Sequence, residues 1–433
     1  MTSALLTDRY ELTMVEAARR AGTAERRCVF EVFARHLPNG RRYGIVAGTG
    51  RFLEQLDEFR FHDAELTWLR ENDVVDAGTL DWLADYRFRG NVWGYREGEV
   101  YFPGSPVLVV EGTFAEAVVL ETLALSIFNY DSAVASAASR MVTAADGRPL
   151  AEMGSRRATE RGAVAAARAA FIAGFSATSN LEAGRTWGIP TMGTAAHSFT
   201  LLHDSEEDAF RAQVAALGPG TTLLVDTYDV TAAVDLAVRC AGTSLGAVRI
   251  DSGDLPGQAA TVRKQLDDLG ATKTKITVTS DLDEFAIAAL QVAPVDSYGV
   301  GTSVVTGSGA PTAGMVYKLV ARTGVDGEWV SVAKKSAAKL SVGGRKFPVR
   351  AMKGGIAQAE VLHVENAPDA APATDSGRPL LVPLVTDGTV DSRFLGVAGT
   401  ALARDHRAVS VAELPVDAFR LARGEPVIRT IYE

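Results

Sequence analysis

Acidic side chains end three short apolar segments of this chain, and glycines end a fourth. The segments are 223–229, 248–254, 276–281 and 297–302, and a helix signal follows them. Buried parallel strands read as continuous apolar runs, and a helix must return the chain before the next strand begins. The repetition therefore predicts a parallel β/α array. We expect its ligand site where the strands end, which is where these polar residues stand.

Aspartates cluster at this predicted rim. Asp229, Asp254 and Asp281 are expected to cap the helices that follow them. Asp226 and Asp251 stand earlier, at the strand ends, where capping explains them less well. Carboxylates that converge without partners repel one another and become protonated. A hydrated Mg²⁺ resolves this conflict, because it takes few protein oxygens and shares phosphate oxygens, so a phosphate ester substrate is expected.

Two further segments suit phosphate. Residues 299–303, Gly-Val-Gly-Thr-Ser, offer bare backbone amides and two hydroxyls, and such amides donate to phosphate oxygens. The alternative interpretation of the glycines is a tight strand-to-helix turn. Residues 154–157, Gly-Ser-Arg-Arg, place two adjacent cations before a predicted helix. These arginines either grip phosphate or form a surface basic pair.

Arg249 and His197 are the remaining candidates for chemistry. Arg249 is two residues before Asp251, so both side chains face the same way in a strand. The arginine either forms a buried structural ion pair or grips a planar carboxylate with its guanidinium fork. His197 follows a predicted strand, 188–192, and small residues flank it. It is either structural or serves as a base, a ligand or a covalent nucleophile.

Composition and charge narrow the class of protein. The 433 residues are 47% hydrophobic and 22% charged, which is typical of a soluble globular protein, and their number favours two domains. A net charge of −9 argues against broad nucleic-acid binding. Cys28 and Cys240 alone make no disulfide framework, which favours a cytoplasmic location. We expect no signal peptide and no membrane anchor, since the alanine-rich run 162–174 is too short to span a bilayer.

Segments outside the array predict how the chain is organised. A helix over 8–20 is expected to begin with a capping box of Asp8 and Glu11, and Thr113 with Glu116 forms a second capping box before a long helix. The other predicted elements are the strands 28–33, 107–110, 315–321 and 328–333, the helices 52–59 and 63–70, and a surface loop over 366–379.

The predicted fold class is α/β, an irregular β/α barrel with a second α+β sandwich domain built from both chain ends. Residues 1–112 form the N-terminal part of the sandwich, and 113–313 form the catalytic barrel. Residues 314–433 are expected to pack back onto the N-terminal domain, because neither end alone promises a closed core.

The ordered set of segments resembles nicotinate phosphoribosyltransferase, a family of type II phosphoribosyltransferases. The matching segments follow the family order and are 6–14, 30–33, 154–157, 193–199, 225–229, 249–255, 299–303, 316–319 and 335–336. The chain departs from the family pattern at Arg9, at Ala195 and over 343–346, without losing a charged group of the expected site. The resemblance implies the barrel and sandwich fold, and a homodimer with sites shared between subunits.

The resemblance also implies a reaction. The family joins nicotinate to 5-phosphoribosyl 1-diphosphate, giving nicotinate mononucleotide and diphosphate for NAD biosynthesis. It couples this transfer to ATP hydrolysis through a phosphohistidine, as a ligase-type enzyme. The position that matches this histidine is His197.

Residue roles follow from the same resemblance. The expected catalytic residues are His197, Asp251 and Arg156, with Asp251 also holding Mg²⁺ through water. Tyr10 is expected to reach the site from the neighbouring subunit. The residues expected to bind substrate are Tyr10, Thr194, Arg249, Ser280, Asp281, Gly301, Thr302 and Lys318. A basic set is either a solvated face or closes over the rim, and comprises Lys318, Lys334, Lys335, Lys339, Arg345, Lys346 and Arg350.

Several other functions remain open at this point. A nicotinamide phosphoribosyltransferase is disfavoured, because Arg249 requires a carboxylate partner. A quinolinate enzyme needs more cations than this rim supplies. A lyase or aldolase barrel requires a Schiff-base lysine at a strand end, and the predicted strand ends offer none. A non-catalytic phosphate-binding barrel keeps the phosphate cradle but forms no phosphohistidine.

Overall fold

Two compact units make up the chain. The computed structural model describes residues 4–334, 342–365 and 377–433. The first unit comprises Met1–Ser136 together with Ala310–Glu433, and the second is Ala137–Gly309. Every residue of the second unit is described. Both chain ends thus belong to one unit, as predicted from the sequence.

The bounds of the secondary structure elements are as follows. The strands are β1 (Arg27–Ala34), β2 (Gly44–Ile45), β3 (Asn91–Tyr95), β4 (Val100–Tyr101), β5 (Pro106–Thr113), β6 (Leu150–Glu152), β7 (Ala177–Thr178), β8 (Thr222–Leu224), β9 (Ala247–Ile250), β10 (Lys275–Val278), β11 (Ser297–Val300), β12 (Met315–Thr323), β13 (Trp329–Ser331), β14 (Arg345–Lys353), β15 (Ile356–Glu365), β16 (Gly377–Pro379), β17 (Leu381–Thr386), β18 (Thr389–Val390) and β19 (Arg429–Tyr432). The helices are α1 (Arg9–Arg20), α2 (Thr49–Glu58), α3 (Asp63–Glu71), α4 (Ala77–Ala84), α5 (Phe114–Val118), α6 (Glu121–Ala144), α7 (Glu160–Ile172), α8 (Leu181–Trp187), α9 (His197–Leu202), α10 (Glu206–Leu217), α11 (Val230–Ala241), α12 (Leu255–Asp268), α13 (Glu284–Ala289), α14 (Thr302–Val305) and α15 (Gly396–Ala412).

A parallel sheet forms the centre of the second unit, which is described throughout. Its six strands run in the order β7-β6-β11-β10-β9-β8, and every neighbouring pair is parallel. The four segments predicted as strands are β8, β9, β10 and β11, so the predicted array is confirmed. The strand predicted over 188–192 is wrong, since only Thr191 forms a bridge, to Thr178. Gly188 there closes α8 with a φ of 67°, and Pro190 has no amide to donate.

Helix capping in this unit differs from the prediction at two of three positions. Asp229 caps α11, accepting from the Ala232 amide at 2.8 Å. Asp254 precedes α12 but its side chain makes no capping hydrogen bond. Asp283, and not Asp281, caps α13. The carboxylate of Asp281 is therefore available for another role.

Antiparallel sheets dominate the first unit. Within its described residues, one sheet has the order β13-β12-β1-β5-β3-β17-β18 and another the order β16-β14-β15-β19. The capping box of Thr113 and Glu116 is confirmed at α5. The box predicted at α1 is wrong, because Asp8 makes no side-chain cap. Glu11 is instead buried and accepts from the Thr122 amide at 2.9 Å, which ties α1 to the start of α6.

The boundary between the units falls inside α6, whereas the predicted barrel began at residue 113. Helix α5 belongs to the first unit because it packs against β1 and β5. Residues 114–144 are long and apolar enough to cross a membrane by length and composition, yet 67% of the apolar window is buried inside the structure. This stretch is therefore packed as a core helix is.

The C-terminal basic set is structural at its centre, so neither predicted alternative holds there. Lys346 and Arg350 are buried, and each forms an ion pair with a buried glutamate, at N···O distances of 2.8 and 2.7 Å. Lys335 and Lys339 lie outside the described residues. Of the loop predicted over 366–379, the last three residues form β16 and the others are likewise outside the description.

Candidate functional site

A cavity of about 500 Å³ opens at the carboxyl ends of the parallel strands in the second unit. Five of its lining residues, Met153, Ser179, Asp251, Thr279 and Gly301, directly follow β6, β7, β9, β10 and β11. Because parallel strands end at one edge of the sheet, residues far apart in sequence meet here. The predicted site residues that line the cavity are Arg156, Thr194, Arg249, Ser280, Asp281, Thr302 and the two already named, Asp251 and Gly301.

Arg249 gives one wall of the cavity its positive charge. Its Nη1 donates to Thr194 Oγ1 at 2.5 Å, while its buried Nε has no hydrogen-bond partner in this fully described unit. Burial lowers the pKa of Arg249; Asp251 and Asp226 oppose this shift, and Arg156 adds to it. No ion pair joins Arg249 to Asp251 within the second unit, so the predicted structural pair is not formed. A buried donor without a partner favours an external acceptor in the cavity.

Asp251 and Thr279 form the acidic part of the rim. Thr279 Oγ1 donates to the Asp251 carboxylate, and the Asp251 amide donates to Asp226 Oδ2 at 2.8 Å. Ser252 Oγ donates to the same Asp226 oxygen at 2.9 Å. The carboxylate of Asp251 keeps a second oxygen for a ligand. Thr279 was missed from the sequence, although it follows a predicted strand directly.

His197 is held by Asp226 beside the cavity. It is the first residue of α9, directly after the lining segment 193–196. Its Nε2 lies 3.0 Å from Asp226 Oδ1, and the side chains are 41% and 2% exposed respectively. A buried carboxylate that holds one ring nitrogen orients the imidazole and leaves Nδ1 for another partner. His197 itself does not line the cavity.

Glycines at the strand ends allow the backbone to pack closely around the cavity. A Cβ on Gly299 would lie 2.5 Å from Thr279 Cγ2, and one on Gly154 would lie 2.2 Å from Val305 Cγ1. Ser280 adopts a φ of 141°, which is unusual for a residue with a side chain. These close approaches support the interpretation of the glycines as tight strand-to-helix turns, and the phosphate cradle stays a prediction.

Glu152 is a buried residue directly before the cavity-lining Met153 that sequence reasoning missed. It ends β6, is fully buried, and accepts from the Gly154 amide at 2.5 Å and from Thr178 Oγ1 at 2.6 Å. Burial raises the pKa of Glu152, and these two hydrogen bonds oppose the shift. An acidic residue at the end of an apolar strand was the same signal that identified Asp226 and Asp251.

Tyr10 and Lys318 belong to the first unit and are described there. Tyr10 is 45% exposed, and burial followed by the charges of Glu121 and Glu11 raises its pKa to about 12. Burial raises the pKa of Glu121, while Lys318 and Tyr10 lower it. The structure thus brings Tyr10 and Lys318 together around Glu121.

Comparison with known proteins gives one consistent result. Residues 5–129 match the family described as the nicotinate phosphoribosyltransferase N-terminal domain. The chain is 58% identical to nicotinate phosphoribosyltransferase pncB1 of Mycobacterium tuberculosis, over 98% of this chain and 94% of that protein. It is 37% identical to nicotinate phosphoribosyltransferase of Bacillus subtilis, over 79% and 72%. The crystal structure of human nicotinic acid phosphoribosyltransferase has a TM-score of 0.82 at 26% identity, over 99% and 97% of the two chains. The predicted fold class, a β/α barrel with a second α+β sandwich domain, is confirmed.

Proposed function

This chain belongs to the nicotinate phosphoribosyltransferase family, and we propose that it joins nicotinate to 5-phosphoribosyl 1-diphosphate in an ATP-coupled, ligase-type reaction. The products are nicotinate mononucleotide, an intermediate of NAD biosynthesis, and diphosphate. The observation that carries the proposal is the cavity at the strand ends, where Arg156, Arg249 and Asp251 meet the glycine-rich turn after β11. A cavity of this volume suits a small ligand.

Arg249 and Thr194 are proposed to bind the carboxylate of nicotinate. A carboxylate satisfies the buried Nε of Arg249, which has no partner within the second unit, and forms charge-assisted hydrogen bonds with the guanidinium fork. Nicotinamide offers the guanidinium one neutral oxygen, and its NH₂ group cannot accept a hydrogen bond. Nicotinate is therefore the preferred base.

In a homodimer, Tyr10 of the partner subunit is proposed to stack on the pyridine ring of the bound nicotinate. The tyrosine ring is 45% exposed, as a residue that contacts a ligand outside its own unit requires. Aromatic rings of this kind stack with an offset and contribute about 0.5–1.5 kcal/mol beyond the area they bury.

The phosphoribosyl group is proposed to lie across the strand ends. Backbone amides of 280–281 and 301–302 suit the 5-phosphate, and the guanidinium of Arg156, which lines the cavity, suits the diphosphate. Asp251 is proposed to orient the ribose hydroxyls with its second carboxylate oxygen. The pyridine nitrogen needs no base, because its lone pair attacks C1 of the ribose as the bond to diphosphate breaks. Both electrons of that bond leave with the diphosphate oxygen.

Mg²⁺ fits the donors at this rim. The described residues contain no group of three or more His, Cys, Asp or Glu that suits an all-protein metal site. One or two carboxylates shared with substrate phosphate is the usual arrangement for Mg²⁺, and Asp251, through water, is the residue proposed to hold it. When bound, the ion would neutralise charge on the diphosphate leaving group.

ATP is proposed to phosphorylate His197. Asp226 engages Nε2 at 3.0 Å, and no protein group of this fully described unit engages Nδ1. The Nδ1 lone pair would attack the γ-phosphorus of ATP, so that ADP leaves with the electrons of the broken bond. Water later cleaves the N–P bond and releases phosphate.

The test is the mass balance of nicotinate, 5-phosphoribosyl 1-diphosphate and ATP with purified protein. We expect one nicotinate mononucleotide for each nicotinate consumed, and acid-labile label from γ-labelled ATP. His197→Ala should abolish the label and the ATP stimulation but retain ATP-independent transfer. Equal use of nicotinamide would contradict the assigned base, and no turnover of either base would favour the non-catalytic barrel.

A further inference from the structure

We propose that Glu152 and Thr178 are positioning residues that lock together two loops of the cavity, 153–157 and 179–180, and thereby set the affinity for 5-phosphoribosyl 1-diphosphate. The inference rests on the proposed function for its substrate. Its structural part, the locking of the two loops, stands on the contacts of the second unit alone.

The carboxylate of Glu152 lies directly beneath the loop that carries Arg156. One oxygen accepts from the Gly154 amide at 2.5 Å, and the other accepts from Thr178 Oγ1 at 2.6 Å. The backbone oxygen of Glu152 accepts from the Ser179 amide at 2.8 Å. A Cβ on Gly154 would lie 2.9 Å from Glu152 Oε1, so the loop rests on the carboxylate. Through three acceptor atoms, Glu152 thus contacts each loop once and Thr178 once.

The contacts of Thr178 fix which atom donates in its hydrogen bond with Glu152. Its oxygen accepts from the Asn180 amide at 3.0 Å, so its hydroxyl proton points to Glu152. Asn180 Nδ2 then donates to Ser155 Oγ at 3.0 Å, which closes a ring of hydrogen bonds between the loops. Ser155, Arg156 and Ser179 line the cavity. Cavity groups from two different loops are therefore held by one buried pair.

Burial of a carboxylate at position 152 has an energetic cost. The carboxylate is fully buried, and the groups that act on it are two hydrogen-bond donors without a cation. Burying a charge in this way is unfavourable unless its hydrogen bonds are complete. Glutamine would donate to Thr178 Oγ1, leaving the hydroxyl proton of that residue without an acceptor. The ring as built therefore requires an acceptor at both terminal atoms of the side chain, and this is what glutamate supplies.

The first experiment compares Thr178→Val with Thr178→Ser by steady-state kinetics. Valine keeps the shape and removes the donor, whereas serine keeps the donor. We expect Thr178→Val to raise the KM for 5-phosphoribosyl 1-diphosphate roughly tenfold or more, as displaced binding groups do. The KM for nicotinate should change by less than about twofold, because Arg249 and Thr194 lie on other segments. Thr178→Ser should keep the wild-type KM for 5-phosphoribosyl 1-diphosphate.

Thr274→Val is the matched control. Thr274 is also buried and donates to the Leu245 carbonyl at 2.8 Å, but it does not line the cavity. If Thr178→Val and Thr274→Val lower the thermal midpoint equally and leave both KM values unchanged, Thr178 is structural and the inference is wrong. Glu152→Gln should reproduce the rise in KM seen with Thr178→Val.

Amide hydrogen exchange tests the locking without catalysis. The Gly154 amide donates to Glu152, so its exchange should accelerate roughly tenfold in Thr178→Val and stay unchanged in Thr274→Val. Unchanged exchange at Gly154 would refute the lock. If the wild-type protein turns over no substrate while exchange responds as expected, the proposed function fails and the lock stands.

Discussion

Arg249→Lys should narrow the preference for nicotinate over nicotinamide. Lysine keeps the positive charge but has no planar fork. In the structure one fork nitrogen donates to Thr194, and Nε is buried without a partner in the second unit. The substitution therefore removes directional donors while it keeps the cavity charged.

The magnitude follows from the hydrogen bonds that change. Losing one charge-assisted hydrogen bond to a carboxylate costs about 1.5–3 kcal/mol, and a neutral one costs about 0.5–1.5 kcal/mol. Each 1.4 kcal/mol corresponds to tenfold. The kcat/KM for nicotinate should therefore fall about 10- to 150-fold, and that for nicotinamide about 2- to 13-fold. Their ratio should narrow by about tenfold.

The assay is the steady-state kcat/KM for each base at saturating 5-phosphoribosyl 1-diphosphate. Arg148→Lys is the control, because Arg148 is a structural arginine of the same unit that donates to the Leu290 carbonyl at 3.1 Å and to Tyr298 at 2.8 Å. It should leave the ratio unchanged. If Arg249→Lys lowers kcat/KM for nicotinate and for nicotinamide by the same factor, Arg249 shapes the cavity but does not bind the carboxylate. The assignment of nicotinate as the preferred base then loses its support.

Two predictions concern the stability of the first unit. Burial raises the pKa of Glu11 from 4.5 to about 7, so the folded protein binds a proton that the unfolded chain has released. The contribution of this proton to stability is complete below about pH 4.5 and is lost as pH rises through 7. Glu11→Gln should therefore flatten the fall of the thermal midpoint between these pH values. An equally steep fall in the variant would contradict the raised pKa of Glu11. Lys346→Met removes the ammonium group that pairs with the buried Glu31 and leaves that carboxylate only the amide of residue 346 as a donor on this strand. The loss should destabilise the protein by about 3–5 kcal/mol in urea unfolding. A change below about 1 kcal/mol would show that the pair adds little.

The strands and much of the cavity could be predicted from the sequence because their signal is local. A buried parallel strand needs a continuous apolar run whatever its neighbours are. Since such strands end at one edge, the polar residues after β9, β10 and β11 had to lie together. Asp251 and Gly301 were found in this way and line the cavity.

Features that depend on distant partners could not be predicted. Lys346 and its partner Glu31 are separated by 315 positions, and an isolated basic segment resembles a solvated face. Asp281 has the spacing of a cap, but Asp283 takes that position because its carboxylate reaches two amides of α13. Glu11 similarly bonds to Thr122 and not to its own helix start. Local spacing identifies the groups, and packing decides their partners.

Asp226 connects the two halves of the proposed reaction. One of its oxygens lies 3.0 Å from His197, and the other accepts from the Asp251 amide at 2.8 Å. Phosphorylation of His197 would add negative charge next to this buried carboxylate, and like charges so close repel unless a cation or a donor compensates. The amide of Asp251 and the hydroxyl of Ser252 are the donors already in place. A charge added at His197 would therefore act on the carboxylate that accepts from the Asp251 amide, and a coupling of about 1–3 kcal/mol through it would change substrate affinity about 5- to 150-fold.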